Sequence, residues 1–245
     1  MSNHFTIAID ACQQEKWIGK CITSCINQNY DNFEVILVDA ISTDRTFDIS
    51  KEYEKIYSNF KSYQNEIRVP QIANMLFLTK MSKDNSIIVS VDGDDWLKDE
   101  NVLTKLNNVY NSRDIWMTYG SYENVSNGQR ATWVYKYPDH VIQHGMFRYY
   151  DWLATHLRTY RKELFMKIDE NDFKRDGDWM STTGDQAFMI PMLEMACNKS
   201  EYISDILYVY NDANTSNDSN TNNFNQVEMA NYIKTKQKYS PINSL

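Results

Sequence analysis

The stretch that most constrains this chain is Ser86-Ile87-Ile88-Val89-Ser90-Val91-Asp92-Gly93-Asp94-Asp95-Trp96-Leu97. A β-branched apolar run with the character of a fully buried strand stops abruptly in three carboxylates around one glycine. Carboxylates are hard oxygen ligands. Several at the end of a core strand repel one another unless a cation lies between them. Gly93 lets the backbone turn, so that Asp92 and Asp94 can converge. A solvated acidic turn is the plain alternative, and the surrounding elements decide between the two.

Upstream, 5–9 reads as a strand ending at Asp10. Trp17, Ile18, Cys21, Ile22, Cys25 and Ile26 then follow at helical spacing over about 15–27. A second buried strand, 33–38, ends at Asp39, and Ser42-Thr43-Asp44 supplies N-cap chemistry for a helix running to about 57. A short strand at 60–64, a helix at 71–81 opened by Pro70, and a helix at 99–110 complete the pattern. Alternating β and α elements of this kind predict an α/β fold, a Rossmann-like, predominantly parallel sheet with helices on both faces. Ligands bind such sheets beyond the carboxyl ends of the strands. Three predicted strands end there in aspartate: Asp10, Asp39 and Asp92. One such ending is ordinary turn chemistry. Three at one edge favour a polar site.

With 245 residues, the chain suits a single α/β domain with appendages. A net charge of −8 argues against a general phosphate-binding surface, though not against a local basic groove. No apolar run is long enough to span a bilayer, and the first residues lack the regions of a signal peptide, so no membrane insertion and a cytoplasmic location (host cytoplasm if viral) are expected. Cys12, Cys21, Cys25 and Cys197 fit reduced thiols, since no second pair of soft ligands completes a zinc site.

Beyond residue 110 the alternation weakens. A strand is expected at 115–120, an aromatic-rich hairpin at 130–139, and a mixed segment from 140 to 168. In that segment Arg158 and Arg161 stand three apart, followed by Lys162. They read either as a phosphate grip or as surface charge on a short helix. Residues 169–181 read as loop. Asp185 begins an apolar helix containing Pro191, where a carboxylate is favoured by the free amides of the first turn. A last strand covers 206–210. The Asn- and Ser-rich 211–226 cannot bury a core and reads as a lid or a linker to a helix over 227–239. The expected organisation is an α/β half (1–120), a second half of the same domain (121–210), the flexible loop (211–226) and a C-terminal helix (227–245).

Several motifs together resemble the family 2 glycosyltransferases of GT-A fold. They are Gln28-Asn29-Tyr30-Asp31-Asn32-Phe33-Glu34 leading through Val38-Asp39-Ala40-Ile41-Ser42-Thr43-Asp44-Arg45-Thr46, the Val91 to Trp96 element, the 155–162 segment and the run 185–211. The resemblance covers almost the whole chain, and it implies that 1–120 is a nucleotide-sugar-binding half and 121–210 an acceptor and catalytic-base half of the same domain. It implies direct transfer of a sugar from a nucleotide-sugar donor to an acceptor hydroxyl, with inversion at the anomeric carbon. It implies that Asp39 faces the nucleoside, Asp92 lies near the ribose and metal, Asp94 contacts the metal, and Asp185 is the general base, with Gly184 where many members have Glu. The sequence departs from the family pattern at three points. Asp10 replaces a proline, Cys12-Gln13 replaces a Tyr-Asn pair, and Ala40 replaces the second Asp of a pair, which leaves UDP as only the default nucleotide.

On this reading Asp94 and Asp92, with His156 as an additional ligand or phosphate contact, hold Mn2+ or Mg2+. Asp10, Asp39, Asp92, Arg158 and Arg161 bind the donor, and Asp185 accepts the acceptor's proton. The expected acceptor is a glycan. The alternative is hydroxymethylated cytosine in DNA, for which Arg130, Lys136, Arg148, Arg158 and Arg161 would form a groove interleaved with Tyr and Trp. A non-catalytic nucleotide-sugar binding module would be expected to lose the base or the metal carboxylates. A nucleotidyltransferase would be expected to carry a glycine-rich loop, and 11–16 contains no glycine. Oligomeric state is left open.

Overall fold

The computed structural model describes residues 2–215 and 223–245. In chain order, β1 (Phe5–Ala11) leads to α1 (Ile18–Ile26), β2 (Phe33–Asp39) to α2 (Thr46–Ile56), and β3 (Phe60–Gln64) to α3 (Gln71–Met81). β4 (Ile87–Asp92) is followed by the short β5 (Trp96–Leu97) and α4 (Val102–Ser112). Next come β6 (Met117–Gly120), β7 (Glu123–Asn124), α5 (Asp139–His144), β8 (Thr155–Arg161) and α6 (Lys162–Phe165). The chain closes with β9 (Lys174–Arg175), β10 (Asp178–Trp179), α7 (Gly184–Ala196), β11 (Ser200–Ile203), β12 (Tyr208–Tyr210) and α8 (Asn223–Thr235).

Seven strands form the main sheet in the order β11-β6-β8-β4-β1-β2-β3. β4, β1, β2 and β3 are parallel neighbours, and β11 is parallel to β6. Only β8 runs against its neighbours, β4 and β6. The strands carry apolar residues on both faces because helices cover both. Phe5, Ile7, Ile9, Val35, Leu37, Val89 and Val91 pack with the buried face of α1 and with Leu103 and Leu106 of α4. Ala8, Ile36, Val38 and Ile88 pack on the other side with α3, α6, α7 and Ile233 of α8. The predominantly parallel α/β sheet read from the sequence is therefore the fold observed.

Two local expectations are corrected. Residues 130–139 form no hairpin: among the described residues they show one isolated bridge, Glu123 to Arg130, and then irregular backbone. Here the Tyr137 N–H donates to the Tyr119 hydroxyl at 2.9 Å and the Tyr137 ring is buried, so tertiary contacts replace cross-strand pairing. The segment around Arg158 is a strand, not a short helix. β8 lies between β4 and β6, and sheet pairing overrides a charge pattern that resembled helical spacing. Of the 211–226 stretch, 216–222 lie outside the described residues. Its end is helical, since α8 starts earlier than expected. Cys21 and Cys25 are buried, Cys12 and Cys197 half-buried, and all four are free thiols. No helix among the described residues is long and apolar enough to cross a membrane.

Candidate functional site

The parallel register of β1 and β4 sets Asp10 beside Asp92 at the carboxyl edge of the sheet. The turn after β4 is pressed onto β1, with the Gly93 N–H donating to the Asp10 carbonyl at 2.8 Å. A Cβ at position 93 would lie 2.8 Å from the Ala11 Cβ and 3.0 Å from that carbonyl. Glycine is required here by close approach of two backbones rather than by a left-handed turn. Beyond this edge opens a cleft of about 1140 Å³ whose walls include Asp10, Asp92, Asp94, Asp95, His156, Arg158 and Asp185. α8 closes one side with Gln226, Val227 and Ala230.

The carboxylates of the edge are crowded and poorly hydrated. Burial pushes Asp10 up to about 7, reinforced by Asp92, Asp39 and Asp94, while a 2.6 Å hydrogen bond from Asn74 opposes the shift. Burial also pushes Asp92 up to about 6, with Arg158 pulling the other way and Asp94 and Asp185 adding to the rise. Gln71 Nε2 donates to Asp92 Oδ1 at 2.9 Å. Asp94 is raised by burial and accepts from Asn214 Nδ2 at 2.7 Å. Asp95 is raised well above the carboxylate range by burial and by Asp94 and Asp92, and its Oδ1 accepts from the Asn211 N–H at 2.7 Å. Asp92 and Asp95, hard oxygen donors beside the His156 ring, fit a divalent cation, which would offset their mutual repulsion. One ligand atom each from Asp92, Asp95 and His156 lie within 4.8 Å of one another.

His156 is buried and stacked on Tyr208, with ring centroids 4.5 Å apart and planes 7° from parallel. Burial and the neighbouring Arg158 hold its imidazole far below the usual range, so the ring is neutral. Arg158 Nη2 lies 3.3 Å from His156 Nε2. A guanidinium can only donate, so Nε2 is the acceptor and the proton sits on Nδ1, which has no hydrogen-bond partner. Arg158 also donates to Asp185 Oδ2 at 2.8 Å, and its Nε is buried without a partner. Asp185 Oδ1 accepts from the Gln186 N–H at 2.8 Å in the first turn of α7. Gly184, just before it, is packed so closely on α3 that a Cβ would lie 3.2 Å from the Ile72 Cβ.

Other expected residues lie elsewhere. Asp39 ends β2, but its fully buried carboxylate turns to the Ser42 N–H and Gln64 Nε2, each at 2.9 Å, and to the Ser42 hydroxyl. Its neighbour Ala40 lines the cleft instead. Arg161 is a clear correction. Because β8 is antiparallel to β4, Arg158 pairs with Ser90 near the carboxyl edge while Arg161 pairs with Ile87 at the opposite end. There Arg161 donates to the Ile115 carbonyl and covers the Tyr110 ring. The five cations expected to form a nucleic-acid groove do not share a surface. Arg148 is buried against Glu194, Arg158 faces Asp185, Arg161 is at the far edge, Lys136 pairs with Asp139, and Arg130 is bound to Ser204 and Tyr202.

The structure adds residues that the sequence did not single out. Gln71 and Asn74 reach the edge carboxylates because α3 begins directly after Pro70, facing the cleft. Tyr208 accepts the Asp92 N–H at 3.1 Å, and Arg68 contributes a cation to the cleft wall. Asn214 lies in a stretch whose composition marked it only as loop, and no local pattern pointed to Asp94 as its partner.

A family model described as Glycosyl transferase family 2 matches residues 6–169. The chain is 40% identical over 70 residues to a dolichyl N-acetyl-alpha-D-glucosaminyl phosphate 3-beta-D-2,3-diacetamido-2,3-dideoxy-beta-D-glucuronosyltransferase of Methanococcus voltae, covering 27% of this chain and 22% of that protein. It is 29% identical over 120 residues to an uncharacterized glycosyltransferase of Haemophilus influenzae, covering 48% of this chain and 46% of that one. The chain thus spans less than half the length of either relative. Among solved structures it is similar to S. aureus TarS 1-349 in complex with UDP-GlcNAc, with a TM-score of 0.67 and 20% identity over 85% of this chain and 58% of that one. It is also similar to the Pyrobaculum calidifontis mannosyltransferase PcManGT in complex with GDP-Man and Mn2+, with a TM-score of 0.59 and 14% identity over 86% and 57% of the two chains. At these identities the structural likeness concerns the fold.

Proposed function

Since the chain belongs to glycosyl transferase family 2, we propose that it is a metal-dependent inverting glycosyltransferase that moves a sugar from a nucleotide-sugar donor to a glycan hydroxyl. The observation that carries this reading is that Asp92, Asp94 and Asp185, drawn from two distant parts of the chain, line one cleft at the carboxyl edge of the sheet. UDP is the default nucleotide. TarS was solved with UDP-GlcNAc and PcManGT with GDP-Man, so the fold is compatible with either base.

Asp94 and Asp92 would hold Mn2+ or Mg2+, which when bound neutralises charge on the leaving diphosphate. His156 would ligate the ion only if Arg158 left Nε2. In the arrangement observed, its Nδ1–H and the Arg158 Nε–H are two buried donors suited to phosphate oxygens. Asp10 would face the donor beside Asp92, and Asp39 would shape the nucleoside site through Ser42 and Gln64. Asp185 would accept the proton of the attacking hydroxyl as it reaches the anomeric carbon from the side opposite the nucleotide. Arg158 would keep that carboxylate oriented.

The DNA acceptor is the weaker reading, because its expected cations are dispersed or paired. A nucleotide-sugar panel read by thermal shift with Mn2+, followed by product analysis, tests the proposal. Donor-specific stabilisation and release of nucleoside diphosphate support it, whereas release of pyrophosphate would point to nucleotidyl transfer.

A further inference from the structure

We propose that Trp133 and Tyr122 form the acceptor subsite and that it takes the face of an uncharged pyranose ring. This rests on the transferase reading above and adds the class of acceptor. Trp133 lines the cleft with 49% of its surface exposed, a large apolar area to leave in water. Its ring meets the Tyr122 ring edge-on, with centroids 6.4 Å apart and planes at 73°. Tyr122 in turn meets His156 at 5.8 Å and 79°. His156 Nε2 is 3.3 Å from Arg158 Nη2, which is 2.8 Å from Asp185 Oδ2. An unbroken series of contacts therefore runs from the exposed indole to the carboxylate that would serve as base.

A pyranose has an apolar C–H face and a rim of hydroxyls. The aromatic wall offers a surface for the first, and Asp185 an acceptor for one of the second. The surroundings of Asp185 favour an uncharged ring. The cation beside it, Arg158, is already paired with that carboxylate, so a uronate or phosphate placed there would meet Asp185 without a guanidinium left to hold it.

The test uses the full chain with Mn2+ and either UDP or GDP, and compares methyl glycosides of neutral hexoses, a methyl glucuronide and a short single-stranded oligodeoxynucleotide containing hydroxymethylcytosine. Saturation-transfer NMR should show one ring face of a neutral glycoside in contact with the protein. Trp133→Ala should weaken that binding about tenfold and Trp133→Phe less than about threefold, as expected for loss or retention of one stacked ring. Melting temperature and nucleotide stabilisation should be unchanged in both. Equal glycoside binding by Trp133→Ala, or tighter binding of the glucuronide or the oligonucleotide, overturns the inference. Nucleotide stabilisation without any glycoside contact overturns it alone. If neither nucleotide stabilises the wild type, the transferase reading fails and the inference falls with it.

Discussion

Arg158 Nη2 lies 2.8 Å from Asp185 Oδ2, so the carboxylate proposed as base is held by a guanidinium that is itself nearly buried. Asp185→Asn keeps the shape and should retain nucleotide binding while lowering transfer by roughly 10²–10⁴-fold, the usual contribution of a general base. Arg158→Lys should weaken nucleotide binding as well, because a lysine cannot serve Asp185, His156 and the unpartnered Nε position together. Steady-state kinetics alongside nucleotide titration separate the two outcomes. A fully active Asp185→Asn variant would remove Asp185 from the mechanism.

The edge carboxylates give the second prediction. Asp94→Asn and Asp92→Asn should each abolish stabilisation by Mn2+ with nucleotide, and chelation should have the same effect on the wild type. Because both groups are already destabilised as anions by burial, the metal-free variants should melt no lower than the metal-free wild type.

Asp10 sets a pH dependence. Its carboxyl titrates at 3.8 when unperturbed and at about 7 in the folded chain, so the folded state holds a proton that the unfolded state has released. The associated stability is full below 3.8 and is lost as pH rises through about 7. Asp92, at about 6, acts in the same sense. Metal-free protein should melt lower at about pH 8 than at about pH 5.5, and Asp10→Asn should flatten the slope. Mn2+ should restore more stability at the higher pH, where it displaces fewer protons.

Gly93→Ala tests the pressed turn. Its Cβ would meet the backbone and side chain of β1 at 2.8–3.0 Å, so the loop must shift. A cost of about 1–3 kcal/mol is expected, at roughly 2–4 °C of melting temperature per kcal/mol. Loss of Mn2+ response in folded Gly93→Ala would show that the turn, and not only its carboxylates, is needed.

The buried pair Arg148–Glu194 should be sensitive to unilateral change. Arg148 Nε and Nη2 donate to the two Glu194 oxygens at 2.7 and 3.0 Å, with side-chain exposures of 2% and 0%. Arg148→Met leaves a carboxylate without its cation and should cost about 3–5 kcal/mol, whereas Arg148→Met with Glu194→Leu should recover part of that loss. Chemical denaturation of the three proteins measures the difference.

The half of the site built from parallel strands was legible because each strand ended where its apolar run ended, and parallel packing brings such ends to one edge. Asp10 and Asp92 are neighbours for that reason. Arg161 was misplaced because spacing does not reveal strand direction. In an antiparallel strand, three residues separate opposite ends and opposite faces, and β8 sends Arg158 to the cleft and Arg161 away from it. Asp39 ended the right strand, but its rotamer is set by Ser42 and by Gln64 on the next strand, a tertiary choice. Asn214 reaches Asp94 across 120 residues, a distance at which no periodicity carries information.

The helix that walls the cleft with Gln226, Val227 and Ala230 is fastened from its far end, where the Ile233 carbonyl accepts from Arg148 Nη1 at 2.6 Å and the Tyr239 N–H donates to Glu194 Oε2 at 3.0 Å. During synthesis Ile233 and Tyr239 leave the ribosome after every described strand of the sheet. A nascent chain that had already paired its strands would therefore still hold an open cleft and a half-satisfied guanidinium. The cleft is thus closed only after its carboxylate edge has formed, and a nascent chain whose helix α8 had not yet emerged would display that edge without the wall that encloses it.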